Sequence, residues 1–228
     1  MMSEIKNMSY SPQLEPEIYQ GQFGQFTITK SDRLGVLIYR SALMVAALCF
    51  AVGTTLVLWQ GNSAVVISLL TPIYACFCLA LGICLITIHI YMAILHRLLQ
   101  LFWIIGSVAA IALAFTSNDP LAITVYNHPM TLIYGIGFTF AALTGIYFKE
   151  AFCFNRLETK ILTPLVPTLL LSHLAGFLPL FSQQVLLAIW ALCFLIFALR
   201  KTFQAIPADI GDKSVFAYLK QKKSSVEV

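Results

Sequence analysis

The densest group of residues able to do chemistry in this chain is the segment Lys149–Lys160, KEAFCFNRLETK. It sets Lys149, Glu150, Asn155, Arg156, Glu158 and Lys160 among Phe152 and Phe154, with Phe148 just before them. Aromatic anchors with an orienting Arg–carboxylate pair are what a protein-docking surface requires. Glu150 is the first candidate to orient Arg156 and Glu158 the second. The candidate partner-binding set is therefore Glu150, Phe152, Phe154, Arg156 and Glu158. The same composition also meets a plainer demand, a basic loop between two apolar spans, and both readings stand.

Histidine is the second source of chemistry, because imidazole ligates metals and tetrapyrroles. The intramembrane candidates are His89, His96 and His173; His128 is expected in an exposed loop. On one continuous helix, His89 and His96 would share a face two turns and about 10 Å apart, too far for a single ion. His173 falls inside an apolar run, where a polar side chain is costly and a functional candidate by default. A neutral imidazole bonded to a nearby carbonyl or hydroxyl is the ordinary alternative. No cofactor is called for by any motif, although a pigment on these histidines stays open.

Cysteine offers little. Cys49, Cys76, Cys78, Cys84 and Cys193 lie in apolar stretches, where free Cys acts as a small hydrophobe. Cys76 and Cys78, two apart on a helix, diverge by roughly 200° and cannot share a metal. Cys153 falls in the basic segment, where a cytoplasmic thiol stays reduced. No metal site is expected. HExxH, GxSxG, P-loop and paired-Asp patterns are missing, which weighs against catalysis. The apolar stretches hold no Asp or Glu, which weighs against proton- or cation-driven transport.

The elements that must position these residues are membrane helices. Of 228 residues, 59% are hydrophobic and 11% charged, with mean hydropathy +0.85. A soluble domain carries about 25% charge, so this chain needs a lipid-facing exterior. Six apolar stretches are expected as spans near residues 34–58, 65–90, 98–115, 131–148, 161–180 and 185–199. All fourteen Lys and Arg fall in the arm before the first span, at its start, in every second connection, and in the tail. Positive residues stay inside. An all-α, six-span bundle with both termini cytoplasmic follows, divided into an arm over 1–33, a membrane domain over 34–200 and a basic tail over 201–228. The arm holds no signal-peptide core, so the first span is expected to stay as an anchor.

Details within the frame are also readable. Arg40 lies inside the first stretch and is expected to snorkel, leaving residues 41–58, about 27 Å of helix, to cross. Residues 64–115 contain one formal charge, Arg97, and are expected to fold back near His96-Arg97. Pro72 suggests a kink in span two, and Pro164, Pro167 and Pro179 suggest a broken span five. Thr29-x-x-Asp32 fits a capping box. The Gly-rich aromatic segment 19–29 suits the headgroup level. Val215, Phe216 and Leu219 among the tail lysines suit a short interfacial helix, with a solvated tail as the alternative. Two small-residue stripes, Gly106/Ala110/Ala114 and Gly137/Ala141/Gly145, recur every four residues and provide close-packing seams, between these helices or toward a partner. No internal repeat of the inverted transporter type is visible.

Tyr19-Gln-Gly-Gln-Phe-Gly-Gln-Phe26, Ser31-Asp-Arg33 and Leu37-Ile-Tyr-Arg40 resemble the opening of an uncharacterised family of integral membrane proteins from cyanobacteria and plastids. Tyr147-Phe-Lys-Glu-Ala-Phe-Cys-Phe-Asn-Arg156, Leu162-Thr-Pro and Ser172-His-Leu-Ala-Gly176 resemble its second signature. The resemblance covers about residues 17–205. It implies a photosynthetic prokaryote and a plasma or thylakoid membrane, and carries no catalytic residue.

Three functions remain in view. The first is non-enzymatic assembly or maintenance of membrane complexes, with lipids and other membrane proteins as partners and no nucleic acid. The second is transport of a small neutral or anionic solute, motivated by the prolines of span five. The third is an enzyme acting on lipid or pigment through His89, His96 or His173.

Overall fold

A computed structural model describes residues 17–61, 63–215 and 218–219. The chain opens with an antiparallel hairpin, β1 (Ile18–Gly21) and β2 (Gly24–Thr27), in which Tyr19 pairs with Phe26. Nine helices follow among the described residues: α1 (Lys30–Gln60), α2 (Ala64–Thr87), α3 (Ala93–Thr116), α4 (Leu121–Asn127), α5 (Thr131–Tyr134), α6 (Gly137–Phe154), α7 (Leu157–Ala175), α8 (Leu180–Thr202) and α9 (Ile206–Ile210). Four of them, α1, α2, α3 and α8, are long and apolar enough to cross a membrane.

Each boundary has a local cause. Thr29 and Asp32 form the expected capping box, the Thr29 hydroxyl accepting from the Asp32 amide and the Asp32 carboxylate from the Thr29 amide. α6 ends because Asn155 adopts the left-handed conformation, with φ 53°. Asn tolerates this turn better than other non-glycine residues. α7 ends in a Schellman turn at Gly176, with Phe177 N–H donating to Ser172 C=O and Gly176 N–H to His173 C=O.

Helix α1 lies along α2 and α8, α3 packs on α6, and α6 and α8 both pack on α7. The buried side of α1 is Val36, Tyr39, Leu43, Ala46 and Ala47, spaced three and four apart as one helix face. It meets Leu81, Cys84 and Leu85 of α2, with Ile146 and Tyr147 of α6 and Trp190, Phe194 and Phe197 of α8 completing the core. Tyr147 stands edge-on to Phe194 and accepts from Trp190 Nε1 at 3.2 Å, so its hydroxyl is satisfied in the core.

Several expectations are corrected. The turn between α2 and α3 falls at Ile88–Met92, not at His96-Arg97, which lie in α3. His96 Nε2, 2.6 Å from Leu85 C=O, and Gln100 Nε2, donating to the same oxygen, satisfy a carbonyl that the end of α2 leaves free. The connection between α3 and α6 is not plain loop: it contains the short helices α4 and α5. Helix α7 is continuous through Pro164 and Pro167, and Pro179 is the N-cap of α8, which removes the broken helix that motivated transport. The tail lysines 220, 222 and 223 and Phe216 lie outside the described residues, while Tyr218 stacks on Phe23 of the hairpin turn at 4.2 Å.

The small-residue stripes are placed unevenly. A Cβ on Gly106 would sit 2.5 Å from the Thr139 amide nitrogen of α6, and one on Gly145 would meet Leu99 of α3, so both hold the α3–α6 contact. Gly137 instead faces the carbonyl of Leu132, its own preceding turn. Ala110 is buried beside Leu121 and Ile136. Ala141 lines a groove toward Pro167 of α7, and Ala114 is exposed beside a gap between α2 and α3.

Candidate functional site

The start of α1, the α2–α3 turn, the α6–α7 turn and the end of α8 come together at one end of the bundle, and the basic residues gather there. The expected loop 149–160 is instead two helix ends joined by Asn155-Arg156. Lys149 and Glu150 fall in the last turns of α6, and Glu158 begins α7.

Glu150 is fully buried. Its carboxylate accepts from Lys149 Nζ at 2.9 Å and from Lys201 Nζ at 2.5 Å, with the Tyr39 hydroxyl at 3.4 Å. Lys201, also fully buried, reaches Asp209 Oδ1 at 2.5 Å. Asp209 Oδ2 in turn accepts from Arg40 Nε at 2.8 Å and Nη2 at 2.6 Å. Arg40 therefore does not snorkel: it is buried, and its partner is a carboxylate of the short helix α9. The aromatic ring of Phe154 lies 4.1 Å from Lys201 Nζ, a close cation–π contact. Five charged side chains from α1, α6, α8 and α9 thus form one chain of ion pairs. Such a network locks the relative placement of its elements, because each partner lost leaves a charge buried.

Arg156 is not oriented by Glu150. Its Nη2 donates to Gln204 Oε1 at 2.6 Å, and Nη1 lies 4.0 Å from Glu158. Glu158 is buried and accepts from Arg200 at 2.9 Å. Of the five candidate docking residues, Phe152 alone is an exposed anchor; Phe154 covers cations, and Glu150, Arg156 and Glu158 serve internal contacts. Asp209, Lys201, Gln204 and Tyr39 were not legible as members. The one available signal was that Arg40, inside an apolar stretch, needs a carboxylate somewhere.

The histidines occupy separate places. His89 lies in the extended α2–α3 turn, His96 in α3, so the shared helical face does not exist. His173 is exposed in the last turn of α7, at the opposite end, its Nδ1 2.7 Å from Gln183 Oε1. His128 is exposed at the end of α4. Burial holds His89 below its ordinary pKa, with Asp32 and Asp209 opposing and Lys149 and Lys213 reinforcing the effect. No group of three or more His, Cys, Asp or Glu able to hold a metal occurs among the described residues.

Beside the ion network lies a cavity of about 650 Å³. The α2–α3 turn forms one wall, with His89, Tyr91 and Met92; α6 forms another with Phe148, Lys149, Phe152 and Cys153; α9 closes it at Ala208–Gly211. The Tyr91 hydroxyl donates to Ile210 C=O, tying the turn to α9.

A bundle of apolar helices with its charge buried at one end defines an integral membrane protein. Residues 83–218, more than half of the chain, match the family described as uncharacterized integral membrane protein, DUF2301, and the chain belongs to it. Neither the curated proteins nor the solved structures contain a match.

Proposed function

We propose that the chain is a six-span protein with both termini in the cytoplasm, in the plasma or thylakoid membrane of a photosynthetic bacterium. Its role is non-catalytic, in the assembly or maintenance of membrane complexes, photosynthetic ones included. The pairing of charges in α6 and α7 supports six spans. These helices have 18 and 19 residues, enough for about 27 Å. Lys149, Glu150 and Glu158 pair inside the protein and not toward lipid.

The observation that carries the role is a rim of exposed apolar side chains on an end made rigid by buried ion pairs. Phe152 is 82% exposed, Leu157 69% and Phe203 88%. Anchors held on a rigid base lose little freedom on docking. Reporter fusions after Leu58 and Phe115 should read external, and one after Phe154 internal; a C-terminal fusion should read internal. Native copurification from mild detergent should lose its protein partners in Phe152→Ser/Leu157→Ser while the protein stays in the membrane at normal levels. An external C-terminal reporter refutes the topology, and partners unchanged in the double variant refute the role.

A further inference from the structure

The ion network carries an excess positive charge. Arg40, Lys149 and Lys201 face two carboxylates, Glu150 and Asp209. Lys201 lies between both carboxylates, 2.5 Å from each. Arg40 spends its Nε and one Nη2 contact on Asp209 and another on Ala205 C=O. Lys149 makes one carboxylate contact, to an oxygen of Glu150 that is also within reach of Tyr39. An ammonium has three donors, and Lys149 is the cation of this group that lines the 650 Å³ cavity.

Lys213 and Asp32 pair with each other at 2.7 Å. Asp212 accepts from the Gln22 amide and from Ser214 of the tail. Besides Lys149 the wall holds Asp209, already paired with Arg40 and Lys201, together with His89 and Tyr91; most of the rest is apolar or aromatic, Met92, Leu95 and Phe148 among it. Met92 and Phe148 are also exposed on the outside of the bundle, a surface that lipid covers in the six-span reading. A buried cation with one carboxylate contact, in the wall of a largely apolar cavity, suits a negative head on a hydrocarbon chain.

We propose that this cavity binds an acyl-chain amphiphile with an anionic head, the carboxylate or phosphate meeting Lys149 and the chain lying among Met92, Leu95 and Phe148. The site rests on the reading above only in placing this end at the membrane–cytoplasm boundary. Its binding is measured without reference to topology or protein partners, so either can fail alone.

The test is native mass spectrometry of the full chain in detergent, titrated with oleate, dioleoyl phosphatidic acid, and their uncharged counterparts methyl oleate and dioleoylglycerol. At least one anion should be retained about tenfold better than its uncharged counterpart, the effect of one charge-assisted contact. Oleate alone identifies a free fatty acid; phosphatidic acid alone identifies a lipid headgroup. Lys149→Gln should abolish the preference for the anion. Cys153→Trp, which adds bulk from an exposed wall position, should weaken both charged and uncharged members at least tenfold. Equal retention of anions and their uncharged counterparts, no retention of either anion, or full retention in Cys153→Trp overturns the site, and these hold even where Lys149→Gln fails to fold.

Discussion

Removing a negative charge from the buried network should harm the protein more than removing a positive one. Three cations and two carboxylates leave an excess of one positive charge. Glu150→Gln raises the excess to two and takes the carboxylate away from Lys149 and Lys201 together. Breaking a buried pair in this way costs about 3–5 kcal/mol. Lys201→Met removes an equal amount of charge but leaves Arg40 on Asp209 and Lys149 on Glu150, with the count balanced. Its cost is the lost hydrogen bonds and the Phe154 contact, about 1–3 kcal/mol. The assay is reversible unfolding in mixed micelles, wild type against each variant and the double variant. Glu150→Gln should unfold first, and adding Lys201→Met to it should return part of the stability, giving a coupling of about 1–3 kcal/mol. A Lys201→Met protein as unstable as Glu150→Gln, with additive losses, refutes the charge count.

Gly106→Ala should destabilise by about 1–3 kcal/mol, because the new methyl meets the backbone of Thr139. Gly145→Ala should cost less, since it meets the end of the Leu99 side chain; thermal unfolding in detergent ranks the two. His89 has its pKa depressed by burial, so its stabilising contribution is full above the unfolded value near 6.5 and is lost as pH falls below it toward the folded value. Wild type should lose melting temperature between pH 7.5 and 5.5, and His89→Gln should show a flatter profile over that range. Asn155→Gly should match or exceed wild-type stability, while Asn155→Val should lose about 1–2 kcal/mol at its left-handed turn, read by the same unfolding assay.

Apolar periodicity, the Thr29 cap and the segregation of Lys and Arg were legible because each is local or additive along the chain. The seam at Gly106 and Gly145 was legible for the same reason, since a spacing of four defines a face on any helix. By charge alone α6 ends at Phe148, because Lys149 and Glu150 belong in water. The structure buries both, and the hydrophobic sequence AFCF carries the helix on to Phe154. Asn155 was the available stop signal, and it was weaker than two adjacent charges. The partner of Arg40 was beyond reach: nothing near Arg40 points to a carboxylate in α9. Likewise the break at Ile88–Met92 has no Gly or Pro to mark it; it depends on Tyr91 reaching Ile210 and on His96 and Gln100 receiving the Leu85 carbonyl.

The pairing of Arg40 with Asp209 has a consequence for biosynthesis. The two residues are 169 positions apart, and at translation rates of about 5–20 residues per second roughly 10–30 s separate their synthesis. Throughout that interval the first helix holds a guanidinium whose acidic partner does not yet exist, and Glu150, made later, still lacks Lys201. A nascent chain must keep this end of α1 in contact with water, the insertion machinery or lipid phosphate until α9 arrives. Chains that stop short of α9 retain an unpaired charge in their first helix, a mark by which membrane quality control can distinguish them from finished ones.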